Sequence, residues 1–162
     1  MGLWLIRITA MFSALGFAGR VAIDLASPAD QPWQRRARWM WTIGCVALLA
    51  HVAAAFHYQH GWSHAAAWEH TRAQTLALTG WNFGHGLYAN YAMTGLWLID
   101  VVGWWTRLDW PRRYRIWYRV VLSLFGFLMF NATAVFGPWY WGFVAGVFVL
   151  GTVGARIVLR RN

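Results

Sequence analysis

The chain has no lysine, one cysteine and five acidic residues in 162 positions. A lone Cys45 excludes an intramolecular disulfide and a paired-thiolate metal site. Charged residues make up 12% of the chain, about half the share usual for a soluble domain. The patterns HExxH, CxxC and CxxCH are absent, so no familiar metalloprotease, zinc or c-type haem motif is written into it. No internal repeat of fixed period and no low-complexity tract divides it. Pro28, Pro32, Pro111 and Pro138 all fall between apolar runs, where a missing N–H costs nothing.

What is present is apolar and aromatic. Hydrophobic residues reach 59%, and there are fourteen tryptophans. Tryptophan is favoured where its ring meets lipid and its N–H stays wet, which points to aromatic belts at two membrane interfaces. A soluble chain of this length has no core large enough to hide so much apolar surface. Runs near ~20 apolar residues predict an all-α, integral membrane helical bundle forming a single domain over 1–162. The predicted spans are approximately 3–25, 37–58, 83–105, 116–136 and 139–159. The first is the weakest, because Arg7 and Arg20 interrupt it; both can snorkel to opposite interfaces. A helix lying in the interface is the alternative, which would leave four spans. The run also lacks the leading basic region of a cleaved signal peptide.

Fourteen arginines give a net charge of +9, and they flank the apolar runs instead of forming one stripe. That placement argues against nucleic acid and for membrane orientation and contact with anionic lipid. The connection after the first run, with its flanking helix ends, carries Arg20, Arg35, Arg36 and Arg38. The one after the third carries Arg107, Arg112, Arg113, Arg115 and Arg119, and the C-terminus carries Arg156, Arg160 and Arg161. The connection over 59–82 holds Arg72 alone, and the one around Gly137 holds none. Strict alternation predicts a bacterial inner (plasma) membrane protein with its N-terminus outside and C-terminus cytoplasmic. Tryptophans divide accordingly. Trp33, Trp39, Trp41, Trp104, Trp105, Trp110 and Trp117 fall at the inner side, most others at the outer, with Trp97 alone mid-span.

All six histidines lie between His51 and His85, at the outer ends of the second and third runs. Ionisable side chains at membrane depth are costly, so such a cluster is a functional-site hypothesis by default. His57, His60 and His64 stand at i, i+3, i+7 and share one face if their helix continues, although Gly61 is a common terminator. Ser63 then reads as the N-cap of a second, amphipathic helix reaching roughly to Thr79, with Gly80 as its stop. Counting depth at ~1.5 Å per residue puts His57 and His85 level, about one turn inside the outer ends of their spans. His51 is level with Asn90 and Tyr91, and Asn131 and Thr133 reach towards the same layer.

Four readings compete. In the first, His57, His60, His64 and His85, with Glu69, bind a transition metal (Cu, Zn or Fe), since imidazole suits these ions and open positions permit exchange. In the second, haem b is held by His51, His57 or His85, with His57 and His85 the best pair by depth. The third makes His51, Asn90 and Asp100 polar stations for a proton or small solute. In the last, the side chains cap helix ends or dock a partner subunit or a second copy of the chain. On this basis the sequence predicts a small inner-membrane protein with an extracytoplasmic histidine cluster that binds metal; a non-catalytic docking subunit is the main alternative. Two structural expectations accompany it. Asp100 should pair with an inner arginine such as Arg107 or Arg119, and Gly142 and Gly146 should form a close GxxxG helix contact.

Overall fold

The computed structural model describes residues 2–26 and 31–131, together with Gly142 and Gly146. Those residues are helical with connecting turns, and no strand occurs among them. The order is α1 (Gly2–Ala26), α2 (Gln31–Tyr58), α3 (His64–Thr79), α4 (Gly86–Thr106), α5 (Trp110–Arg113) and α6 (Arg115–Phe130). Pro32 and Pro111 sit in the first turns of α2 and α5, where no intrahelical donor is required. Helix α1 packs along α2, α2 along α4, and α4 against both α3 and α6.

Two of the described helices, over Gly2–Asp24 and Pro32–Tyr58, are long and apolar enough to cross a membrane. The first span expected from sequence is thus one unbroken helix. The third is the 21-residue α4, which is not among those two; Asn90, Tyr91 and Asp100 dilute its apolar character. The fourth is described only to Asn131, and the fifth lies outside the described residues apart from Gly142 and Gly146. Both glycines are helical and exposed, and a Cβ added to either meets no described residue within 4 Å.

The α1–α2 crossing depends on glycine. Cβ built on Gly16 falls 2.5 Å from the Gly44 Cα, so the two backbones touch with no room for a side chain. The other face of Gly44 receives Trp97, whose ring lies 2.8 Å from where a Gly44 Cβ would stand. Around this contact the core is aromatic. Trp41, Trp97, Trp104 and Phe125 are fully buried, with Trp41–Trp97 centroids 4.5 Å apart and Trp41–Phe125 stacked at 5.6 Å. The inner tryptophan belt expected from sequence therefore includes core residues. Trp41 and Trp104 are inside the bundle and Trp110 is half-buried, while Trp33, Trp39, Trp105 and Trp117 are exposed.

Burying indoles requires acceptors for their N–H groups. Asp100, fully buried, supplies two: its carboxylate accepts from Trp41 Nε1 at 3.0 Å and from Trp110 Nε1 at 2.9 Å. Trp97 Nε1 donates to the Trp41 carbonyl at 3.2 Å. This corrects the expected pairing of Asp100 with Arg107 or Arg119. The chain folds α5 back beside α4, where Trp110 covers Gly103 and its indole N–H meets the Asp100 carboxylate. Arg20 is likewise buried instead of snorkelling. It pairs with Asp24 at 2.6 Å, donates to the Tyr118 hydroxyl at 2.5 Å, and stacks 4.1 Å over the Trp104 ring. Helix α6 is tied to α1 by that network, since a buried guanidinium must be paired and hydrogen-bonded.

Candidate functional site

The histidines gather where α2 ends, α3 folds back and α4 begins. Helix α2 stops at Tyr58 because Gly61 and Trp62 both adopt the left-handed conformation, with φ of 54° and 60°. That conformation is cheap for Gly61 and costly for an L-residue such as Trp62. Contacts hold Trp62 there: its backbone N–H donates to the Phe56 carbonyl at 3.0 Å and its indole N–H to His57 Nδ1 at 3.4 Å. The reversal makes α3 a separate helix with the bounds expected from sequence. Ser63 Oγ accepts from the Ala66 N–H at 3.2 Å, and Gly80 closes the helix at φ 75° with its N–H on the Leu76 carbonyl. Helix α3 lies on the start of α4 through Trp68, whose ring covers Gly84, and Thr71, which sits beside Gly86.

Folding α3 back redistributes the histidines. On a continuous helix His70 would face away from His60. Here the His60 and His70 rings lie 5.3 Å apart at 61° to one another. His60 Nδ1 is buried without a hydrogen-bond partner. Burial, and then the neighbouring His70, hold the His60 pKa below the ordinary imidazole value. This pair was missed in the sequence, although Gly61, a terminator between the two helices, was the signal that could have found it.

The other expected ligands are engaged elsewhere. His57 receives the Trp62 N–H and lies against Tyr58. His64 uses both ring nitrogens, Nδ1 with the Tyr91 hydroxyl at 3.1 Å and Nε2 with that of Tyr88 at 3.4 Å. His85 packs among the rings of Trp68, Phe83 and Tyr88. Glu69 is bound by Arg72, which also donates to Asn82 Oδ1 at 2.7 Å. The hydrogen bonds from Arg72 hold the Glu69 carboxyl below its usual range, and the same bonds raise the Arg72 pKa. His51 Nδ1 meets the Ile6 carbonyl of α1 at 3.0 Å, so it turns towards α1 and not to Asn90 and Tyr91. Asn131 donates to the Phe127 carbonyl, and Thr133 lies outside the described residues.

Among the described residues, therefore, no group of three or more His, Cys, Asp or Glu side chains is arranged to hold a metal ion. The set His57, His60, His64, Glu69 and His85 is not brought together as one group. What the layer does bring together is one imidazole pair, His60 from the α2–α3 turn and exposed His70 from α3, with the Phe56 ring beside His60. No protein-family model, curated protein or solved structure matches the chain.

Proposed function

We propose that the chain is a small multi-pass membrane protein with five spans, its N-terminus and the α3 layer outside and its C-terminus cytoplasmic, and that it binds a transition metal through His60 and His70. Support for the topology comes from the arginine alternation and from two apolar helices of spanning length. A reporter fused after Asn162 is expected to be active only in the cytoplasm, and one inserted near Ser63 only outside. The reverse pattern overturns the orientation.

The single observation that carries the metal reading is the His60–His70 geometry. With metal–nitrogen bonds of ~2.0–2.1 Å and about 1.1 Å from nitrogen to ring centre, two imidazoles at a tetrahedral angle have centroids roughly 5.2 Å apart. The observed separation is 5.3 Å. Two neutral nitrogens suit Cu, Zn, Fe or Ni and leave open positions for water or an exchanging ligand. Binding and hand-over of an ion are within its chemistry.

The test is metal emission from the full chain purified in detergent without chelators. Bound metal should fall several-fold in His60→Ala and in His70→Ala, while His57→Ala and His85→Ala retain it. Absence of metal in the unsubstituted protein overturns the reading. It would favour the docking-subunit alternative. A Soret band would instead favour haem b.

A further inference from the structure

The end of the bundle opposite α3 presents a second chemistry. Arg38 Nη1 reaches the Trp104 carbonyl and its guanidinium stacks 4.0 Å over Trp105, which sets the start of α2 beside the end of α4. Trp110 bonds Asp100 and so holds α5 at the same end, and Tyr118 anchors the start of α6 to Arg20 and Asp24. Eight arginines from positions 35–38 and 107–119 converge there, seven of them exposed. Among the described residues the exposed acidic group at this end is Asp109, because Asp24 and Asp100 are engaged inside the fold. Basic groups therefore outnumber exposed acidic ones at this end among the described residues. Arg36 is stacked 4.7 Å over the Trp33 ring, a cation–π contact on the exposed face of α2.

We infer that this end is a binding surface for anionic phospholipid headgroups, with Arg35 and Arg36 on α2 and Arg113 and Arg115 at the α5–α6 corner contacting the phosphates. The inference rests on the reading of the chain as a membrane protein but not on the metal site or on its orientation. Guanidinium presents paired donors that match phosphate oxygens, and tryptophan and tyrosine rings settle at headgroup level. Two features favour lipid over nucleic acid. Exposed Trp39, Trp105 and Tyr114 lie among the arginines, and the surface runs directly into exposed aliphatic faces of α2 and α4 at Ile43, Ile99 and Val102. A phospholipid satisfies the headgroup and tail parts of that surface at once.

The experiment is native mass spectrometry of the delipidated full chain in detergent, offered phosphatidylglycerol or phosphatidylcholine. Phosphatidylglycerol should be retained roughly tenfold more strongly, and the preference should shrink as salt is raised from about 50 to 500 mM. The double variant Arg35→Gln, Arg36→Gln should lose most of the preference, while Arg72→Gln, at the other end, keeps it. Equal retention of the two lipids, a salt-independent preference, or an RNA oligonucleotide displacing phosphatidylglycerol each overturns the inference. The salt series needs no variant, so a misfolded substitution does not decide the outcome. A reversed topology reporter or absent metal would leave this result standing.

Discussion

Gly16→Ala should weaken the protein through one backbone contact, and the size of the effect follows from the geometry. The new Cβ would lie 2.5 Å from the Gly44 Cα, 2.7 Å from its N and 2.9 Å from the Met40 carbonyl oxygen. Those are backbone atoms, so no rotamer change relieves the clash, and α1 and α2 must part by about 1 Å to reach ordinary contact. Parting loosens the Trp97 seat on Gly44 and stretches the His51–Ile6 hydrogen bond, which joins the same two helices. Overpacking of this kind costs ~1–3 kcal/mol, which for a chain of this size lowers the melting temperature by roughly 2–12 °C. Alanine also gains ~0.5–1 kcal/mol of helix propensity over glycine, and that gain must be separated from the clash. Gly95→Ala does so: Gly95 is in α4 with nothing within 4 Å of its Cβ position, so that variant should melt at or slightly above the unsubstituted protein. The assay is thermal unfolding of both variants in one detergent, followed by circular dichroism. If Gly16→Ala melted as high as Gly95→Ala, the close α1–α2 crossing would be refuted.

Three further outcomes follow from the described contacts. Asp100→Asn turns one acceptor of a buried indole pair into a donor, so one of Trp41 or Trp110 loses its partner at ~1–3 kcal/mol; a melting temperature within about 1 °C of the parent would show that the carboxylate is not needed there. Gly84→Ala puts a Cβ 2.6 Å from the Trp68 ring and should lift α3, seen as faster amide exchange across residues 64–79 with α1 unchanged; unchanged exchange would show that Trp68 does not hold α3 down. The pH response of α3 has a defined sign, because the folded His60 pKa lies below 6.5 and the unfolded chain therefore binds more protons just below that pH. In metal-free protein, docking of α3 should be firm above 6.5 and weaken as pH falls from there towards the lowered value, so exchange corrected for its intrinsic rate should accelerate between about pH 7.5 and 5.5. Protection that rises on acidification would reverse the assignment.

Local signals carried the helices and their ends. Apolar runs marked α1, α2 and α4, and the Ser63 and Gly80 caps bounded α3, because caps and apolar length are written in neighbouring residues. Polar partners were not local in the same way. Depth counting along straight helices placed His57 opposite His85 and His51 opposite Asn90, yet depth says nothing about which way a side chain is rotated, and rotation is set by packing. The left-handed turn at Gly61 and Trp62 is what carries His70 to His60, and it persists because Phe56 and His57 accept the N–H groups of Trp62. Asp100 tells the same story. Sequence alone identified a costly carboxylate in an apolar helix and predicted a nearby arginine as its partner. Tertiary structure gave it two indoles instead, because the fold had buried Trp41 and Trp110 and their N–H groups had to find an acceptor.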